Sequence, residues 1–192
     1  MSADEFSNAH LQEKLEAAAD SHDFGEIEAL VAAGASPDSG LRGFKSLLIY
    51  AVAQGQRDLT TSLLSAGAST ELADDAGNTP LMHAARLCLH ELVVSLLEGG
   101  ANPLAKNSDG QTAFDAARAG AKDLTSQFND TAMSVDDLEN SIARYGRIAG
   151  ALKEAEEAEI EAAKMKEIAA CRDGLHEDIT VRSPLRLKTP GF

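Results

Sequence analysis

The segment from Thr79 to Asn102 reads TPLMHAARLCLHELVVSLLEGGAN, and parts of it recur before and after it at one fixed spacing. Glycine followed by alanine occurs at 34–35, 67–68 and 100–101, which is a period of 33 residues. Three further columns keep this register: leucine at 30, 63 and 96, serine or threonine at 46, 79 and 112, and alanine at 51, 84 and 117. Agreement of several independent columns indicates an internal repeat, and a repeat of this length predicts a stacked architecture.

Each column fits one place in a pair of helices. Thr79 and the proline after it suit a helix N-cap and first turn, because the hydroxyl accepts a backbone N–H and proline needs no acceptor there. Small alanines in mid-helix let two antiparallel helices approach closely, and the leucines fill the space between units. Gly67 and Gly100 suit a left-handed helix C-terminus. Turn-forming residues around Gly77 and Gly110 complete a unit that we predict to be helix, turn, helix and β-turn finger.

The segments TPLMHAA at 79–85 and VVSLLEGGAN at 93–102 closely resemble the signature of the ankyrin repeat, and the period matches as well. The resemblance implies an all-α ankyrin-repeat solenoid of helix-turn-helix units with β-turn fingers. It covers residues 11–128 and implies four repeats, at about 11–40, 41–73, 74–106 and 107–128. The first and fourth units depart from the signature, as terminal repeats that cap a stack do. The second unit departs too, because Phe44 stands where the finger glycine is expected and Leu47 replaces the proline.

A different pattern follows the repeat domain at 1–128. Residues 129–134 are polar and predict a connector. Over 135–173 apolar residues recur every three or four positions, which predicts a long amphipathic helix whose first half packs on the last repeat. In its second half the apolar face is mostly alanine and glutamate dominates the rest, so this half either projects or meets a partner. Residues 174–192 form a basic tail with two prolines, which we expect to be extended.

The composition excludes several classes of protein. The chain has 192 residues, of which 17 are basic and 31 acidic, so its net charge of −14 repels nucleic-acid backbones. Few aromatic residues are present to stack on bases, and we expect no general nucleic-acid binding. Cys88 and Cys171 stand far apart, which argues against a disulfide scaffold and against a cysteine zinc module. No apolar run is long enough to span a membrane and no secretory signal opens the sequence, so we expect a cytoplasmic protein.

The sequence offers no constellation for catalysis. The five histidines, at 10, 22, 83, 90 and 176, lack the spacing of metal ligands, and His83 and His90 occupy structural columns of the repeat. No phosphate-binding loop, nucleophile elbow or carboxylate pair stands outside the repeat pattern. We therefore predict no enzyme activity, no metal and no cofactor.

The resemblance implies protein binding, because ankyrin stacks present finger tips and first-helix residues on a concave surface, usually to another protein. Nine residues in the exposed columns, together with Phe44 in the column of the finger glycine, are the candidate contacts: Arg42, Phe44, Lys45, Gln54, Asp75, Asn78, Arg86, Leu87, Ser108 and Gln111. Residues 42, 44 and 45 form a small basic and aromatic spot in an acidic molecule. Arginine beside leucine at 86–87 is the kind of anchor that is enriched at binding hot spots.

The tail is a second candidate contact, because residues 181–192 carry three basic residues and no acidic one. An extended chain of this kind can lay its apolar side chains into a groove, either on another protein or on the acidic body of this one. The candidate docking residues are Arg182, Leu185, Arg186, Leu187, Lys188 and Phe192. The alternative is a terminus without fixed structure.

These observations predict a non-catalytic module that binds a partner protein through the concave face and the fingers, aided by the helix and the tail. The strongly negative field favours a basic partner. Two narrower hypotheses stay open. One is a stoichiometric inhibitor or immunity-type protein of a basic enzyme, and the other is a structural subunit of a larger assembly. The sequence leaves the oligomeric state open.

Overall fold

The computed structural model describes the backbone of residues 3–41, 43–128 and 135–180, and the side chains of residues 10–41, 43–123, 140 and 143–166. The described residues form eight α-helices and no strand. The helices are α1 (Ala3–Asp20), α2 (Phe24–Ala32), α3 (Leu47–Ala53), α4 (Arg57–Ser65), α5 (Pro80–Arg86), α6 (His90–Glu98), α7 (Ala113–Phe128) and α8 (Val135–Thr180). The first six helices form three helix pairs, which confirms the predicted all-α repeat architecture.

The predicted N-cap residues occupy their places. Ser46 Oγ accepts the backbone N–H three residues later at 3.1 Å and begins α3, and Thr79 Oγ1 does the same for α5 at 3.4 Å. Before α7, the Thr112 backbone N–H donates to Asp115 Oδ2 at 3.3 Å, and Thr112 Oγ1 accepts the Asp115 N–H at 3.5 Å. Such caps contribute about 1 kcal/mol each, because they satisfy backbone donors that the helix leaves without acceptors.

The helices stack in two rows. In one row α3 packs on α5 and α5 on α7, and in the other α2 packs on α4 and α4 on α6. The repeating leucines at 63 and 96 are fully buried between units, as are the repeating alanines at 51 and 84. Each buried leucine contributes about 1.5–3 kcal/mol, and the alanines keep the helices close.

Besides the fingers, the turns of the repeat use left-handed backbone at two columns. Gly67 and Gly100 follow the second helix of their units with φ of +85° and +86°. A second column joins the first and second helices, where His22, Gly55 and Cys88 have φ of +56°, +66° and +59°. Left-handed backbone costs a residue with a side chain roughly 1–2 kcal/mol. The turns at His22 and Cys88 are therefore strained relative to the turn at Gly55.

Each finger is numbered by the unit that it opens. The second finger, at the start of the second unit, forms a tight turn although its sequence departs from the repeat signature. Leu41 and Phe44 exchange two backbone hydrogen bonds, of 2.8 and 2.9 Å. Gly43 adopts φ of +85° and supplies the left-handed position one residue before Phe44. The glycine that the finger needs is thus present in a neighbouring position.

The fourth unit differs from the other three, because it contributes the single helix α7 within residues 107–128. α7 has 16 residues, whereas the corresponding helices α3 and α5 have seven each. α8 continues to Thr180, past the expected end at residue 173, so the first seven residues expected in the tail are helical. The sequence offers no proline to stop the helix before Pro184.

The chain divides into two compact units, Met1–Glu156 and Glu157–Phe192, and the division falls within α8. In the first unit, Ile148 and Leu152 of α8 are fully buried and belong to the hydrophobic core. In the second unit, residues 157–166 are all exposed, including Ile160 and Met165. The first part of α8 is therefore an integral part of the repeat core.

Candidate functional site

The second and third fingers are joined at their tips by an ion pair. Lys45 Nζ lies 2.7 Å from Asp75 Oδ1, and the two side chains are 57% and 92% exposed. A pair so open to water contributes little to stability. Both groups remain available to a partner, because breaking the pair costs little.

A cluster of hydrogen bonds around the carboxylate of Asp74 shapes the third finger. Asp74 accepts hydrogen bonds from the backbone N–H of Ala76 at 2.9 Å and of Asn78 at 2.8 Å, and from Asn78 Nδ2 at 3.1 Å. His83 Nε2 lies 2.9 Å from Asp74 Oδ2. Burial alone would raise the pKa of Asp74, but the hydrogen bonds from Asn78 and His83 outweigh it and hold the pKa below its ordinary value. His83 thus has a structural partner.

Asn107 links the fourth finger to the third. Its Nδ2 donates to Asn78 Oδ1 at 2.9 Å, and its Oδ1 accepts the Gln111 backbone N–H at 2.9 Å. The Ser108 N–H donates to the Ala76 carbonyl at 2.9 Å. Both ends of the Asn78 amide are therefore bound, one to Asp74 within the third finger and one to Asn107 of the fourth. The Ser108 and Gln111 side chains remain exposed.

A cavity of about 240 Å³, which we call the N-terminal cavity, opens beside the second finger. Phe44 packs edge-on to Tyr50 with ring centroids 5.3 Å apart, and the Tyr50 hydroxyl donates to the Ala19 carbonyl at 2.9 Å. Burial raises the pKa of Tyr50, and the nearby Asp20 carboxylate raises it further. The lining residues are Glu16, Ala19, Asp20, His22, Leu41, Phe44, Tyr50 and Gln54. Two aromatic rings and two carboxylates thus line the same cavity.

A smaller cavity of about 50 Å³, the α5–α7 cavity, lies between those two helices. Three predicted contacts, Asn78, Arg86 and Gln111, line it together with His83 and Met82. Arg86 is exposed and pairs with Asp123 at 3.6 Å. Leu87 is the C-cap residue that follows α5, and 48% of its surface is exposed.

The structure therefore groups the predicted contacts. Phe44 and Gln54 share the N-terminal cavity, Asn78, Arg86 and Gln111 share the α5–α7 cavity, and the ion pair of Lys45 with Asp75 joins two fingers. Leu87 and Ser108 line neither cavity. Arg42 and all six tail candidates lie outside the described residues. Contact with a partner stays a prediction for every candidate.

Sequence reasoning missed four residues at this surface: Glu16, Asp20, Asp123 and Tyr145. A signal for one of them was available, because Asp20 and Arg86 occupy the same column of the 33-residue period. Tyr145 gave no such signal. Its hydroxyl donates to the Arg86 carbonyl at 2.9 Å across a separation of 59 residues.

The geometry identifies a repeat stack with linked fingers, and the comparison with known families agrees. Residues 15–128 match the sequence model of a family described as ankyrin repeats, in three copies. The chain belongs to the ankyrin repeat family. No curated protein matched the sequence.

Ankyrin repeats are generally modules for protein–protein interaction, and the family is typically non-catalytic. Among the described residues of this ankyrin protein, no cluster of histidine, cysteine or acidic side chains is arranged to hold a metal ion. No helix in the described part of the chain combines the length and the apolarity that crossing a membrane requires.

Proposed function

We propose that this ankyrin protein binds a basic segment of a partner protein through one surface, which we call the finger surface. The finger surface consists of the N-terminal cavity, the tip pair of Lys45 with Asp75, and the α5–α7 cavity. The observation that carries the proposal is the grouping of predicted contacts into two cavities beside the fingers. Neither cavity is explained by the hydrogen bonds that hold the repeats together.

The charges along the finger surface support a basic partner. Carboxylates of Glu16, Asp20 and Asp75 outnumber the basic groups of Lys45 and Arg86 among its described residues. The whole chain carries a net charge of −14, so its field attracts a positive surface over a long range. We expect association to be fast at low salt and slower as salt screens the field.

The N-terminal cavity has the chemistry of a site for a cationic side chain. Aromatic faces and carboxylates together favour an arginine or lysine, because the rings attract the cation and the carboxylates pair with it. The tail residues named above remain a second proposed contact, which adds to the finger surface or competes for it. The free thiol of Cys88 agrees with a reducing compartment such as the cytoplasm.

The test is capture of the partner from a lysate of the native source, using the full chain immobilised at low and at moderate salt. The finger variant neutralises two carboxylates, Asp20→Asn with Asp75→Asn. The matched control neutralises two exposed acids on the second-helix row, Asp58→Asn with Glu98→Gln. We expect one basic protein that the wild type and the control capture equally, and that the finger variant captures at least about fivefold less well.

Equal capture by the finger variant would refute the proposed surface. If a partner is captured, the size of the complex distinguishes the inhibitor hypothesis from the assembly hypothesis. An inhibitor or immunity-type protein gives a small closed complex with an enzyme, whereas a structural subunit gives a large assembly.

A further inference from the structure

A cavity of about 420 Å³ lies away from the fingers, where the first helix of each unit turns into the second. Its floor is formed by the turn at Cys88 and the first turn of α6, and α8 closes one side with Arg144 and Arg147. We call it the turn cavity. All its lining residues belong to the first compact unit.

The lining of the turn cavity is positive in a strongly negative protein. Arg57 and Glu91 pair with each other at the rim, so their charges cancel. Arg144 and Arg147 stand three residues apart on one face of α8, and neither forms a salt bridge with any described residue. The cavity therefore carries two guanidinium groups that have no salt-bridge partner among the residues whose side chains the structure describes.

Both guanidinium groups lie close to the floor of the turn cavity. Burial raises the pKa of the Cys88 thiol, and the positive charges of Arg144 and Arg147 act in the opposite direction. Arg144 and Arg147 line the cavity together with Cys88 and the first turn of α6. The two arginines thus face the same floor from one side.

The floor adds further hydrogen-bond donors. α6 begins after Leu89, whose side chain cannot accept a hydrogen bond, and no described acceptor faces the N–H groups of residues 90–92. These groups would favour negative charge at the same place as the arginines.

From this arrangement we propose that the turn cavity binds a phosphate group. Two guanidinium forks and a row of backbone N–H groups match an anion with two negative charges and at least three oxygens. A carboxylate offers one charge and two oxygens and fits the same donors less well. The volume exceeds the needs of a bare phosphate, so the group can belong to a small phosphate ester or to a phosphorylated side chain.

The test uses the full chain labelled with ¹⁵N and titrated with inorganic phosphate, with sodium chloride added to hold the ionic strength constant. We expect saturable amide shifts centred on His90 to Leu92. Acetate, titrated in the same way, should bind at least about tenfold more weakly.

The decisive variant is Arg144→Gln with Arg147→Gln. A charge-matched control removes two exposed lysines outside the cavity, Lys106→Gln with Lys166→Gln. We expect the decisive variant to bind phosphate at least about tenfold more weakly than wild type, and the control to bind it equally well. Circular dichroism establishes that both variants are folded.

A second measurement does not depend on a variant that folds. Cys88 is half-buried in the floor of the cavity, so bound phosphate should slow its alkylation by iodoacetamide, read at the Cys88 peptide by mass spectrometry. Sodium chloride at equal ionic strength should leave the rate unchanged.

Glycerol 3-phosphate and a blocked phosphoserine peptide distinguish the two sources of the group. Tighter binding of the peptide assigns the cavity to a phosphorylated protein, and tighter binding of the ester assigns it to a small molecule. Absence of a saturable shift, acetate affinity equal to phosphate affinity, or unchanged affinity in the Arg144→Gln, Arg147→Gln variant would each overturn the proposal.

Discussion

Replacing Gly120 by alanine tests the close approach of α7 to α5. Gly120 is buried, and a Cβ atom there would overlap the carbonyl oxygen of Arg86 and lie 2.9 Å from the hydroxyl of Tyr145. The same carbonyl accepts the hydrogen bond from Tyr145. A single methyl group therefore disturbs both the contact between the two helices and the bond that ties α8 to them.

The magnitude follows from three contributions. Overpacking a tight contact costs about 1–3 kcal/mol. Loss of the hydrogen bond from Tyr145 to Arg86 adds about 0.5–1.5 kcal/mol. The higher helix propensity of alanine compared with glycine offsets about 1 kcal/mol of this cost. We expect Gly120→Ala to lower the free energy of unfolding by about 2 kcal/mol.

The assay is urea unfolding of the full chain followed by far-ultraviolet circular dichroism, with Gly146→Ala as the matched control. Both glycines lie inside helices, but a Cβ atom at Gly146 meets nothing within 4 Å. The control should raise the free energy of unfolding by up to about 1 kcal/mol. The same substitution thus has opposite signs at two positions.

Tyr145→Phe separates the two unfavourable contributions. It removes the hydroxyl, so Gly120→Ala should cost less in that background than in the wild type, by roughly the worth of the hydrogen bond. A Gly120→Ala variant as stable as the Gly146→Ala variant would refute the reasoning, because it would mean that α7 and α5 do not approach so closely.

Three further predictions concern the caps, the third finger and the turns. In urea unfolding, Thr79→Ala should lower the free energy of unfolding by about 1 kcal/mol, because the α5 cap is lost. The control Thr61→Ala, on the exposed face of α4, should stay within about 0.5 kcal/mol of wild type. Because the folded pKa of Asp74 is lowered, the contribution of this carboxylate is complete above its unfolded pKa of about 3.9 and is lost as pH falls through the folded pKa. Urea unfolding between pH 6 and 2 should therefore show a steeper acid loss of stability for wild type than for Asp74→Asn, and parallel curves would contradict this. His22→Gly should raise the free energy of unfolding by about 0.5–1 kcal/mol, since glycine adopts the left-handed turn without strain; a melting temperature below that of wild type would contradict it.

The turn cavity and the finger surface make separable predictions about binding. The finger variant changes acidic residues of the fingers and of α1, and the cavity variant changes arginines of α8. If the two sites act independently, each pair of substitutions should affect its own ligand alone. Coupling between them would appear as a change in partner capture on addition of phosphate.

The fold was largely predictable, because its signals repeat and are local. A cap hydroxyl acts three residues along the chain, and the left-handed turns after the second helix require glycine at fixed places. The roles of Ser46, Thr79 and Gly67 can therefore be predicted from the sequence alone. α8 ends seven residues later than we predicted, since the sequence offers no proline before Pro184 to stop the helix.

The candidate site was predictable only in part. The resemblance to ankyrin repeats placed Lys45, Asp75 and Arg86 in exposed columns, and all three side chains are exposed in the structure. The sequence could not show that Asn78 has both ends of its amide bound within the stack, since Asn107 reaches it from the next unit. Nor could it show that Phe44 is half-buried against Tyr50.

The sequence by itself determined the repeat, the helix caps, the turn glycines and the negative charge, because each depends on neighbours along the chain or on composition. Tertiary structure alone decided how α8 meets the stack. The bond from Tyr145 to Arg86 spans 59 residues, and the two arginines of α8 face a turn that lies more than 50 residues earlier. No periodic pattern encodes such distant pairs. They follow from how the helices pack in three dimensions.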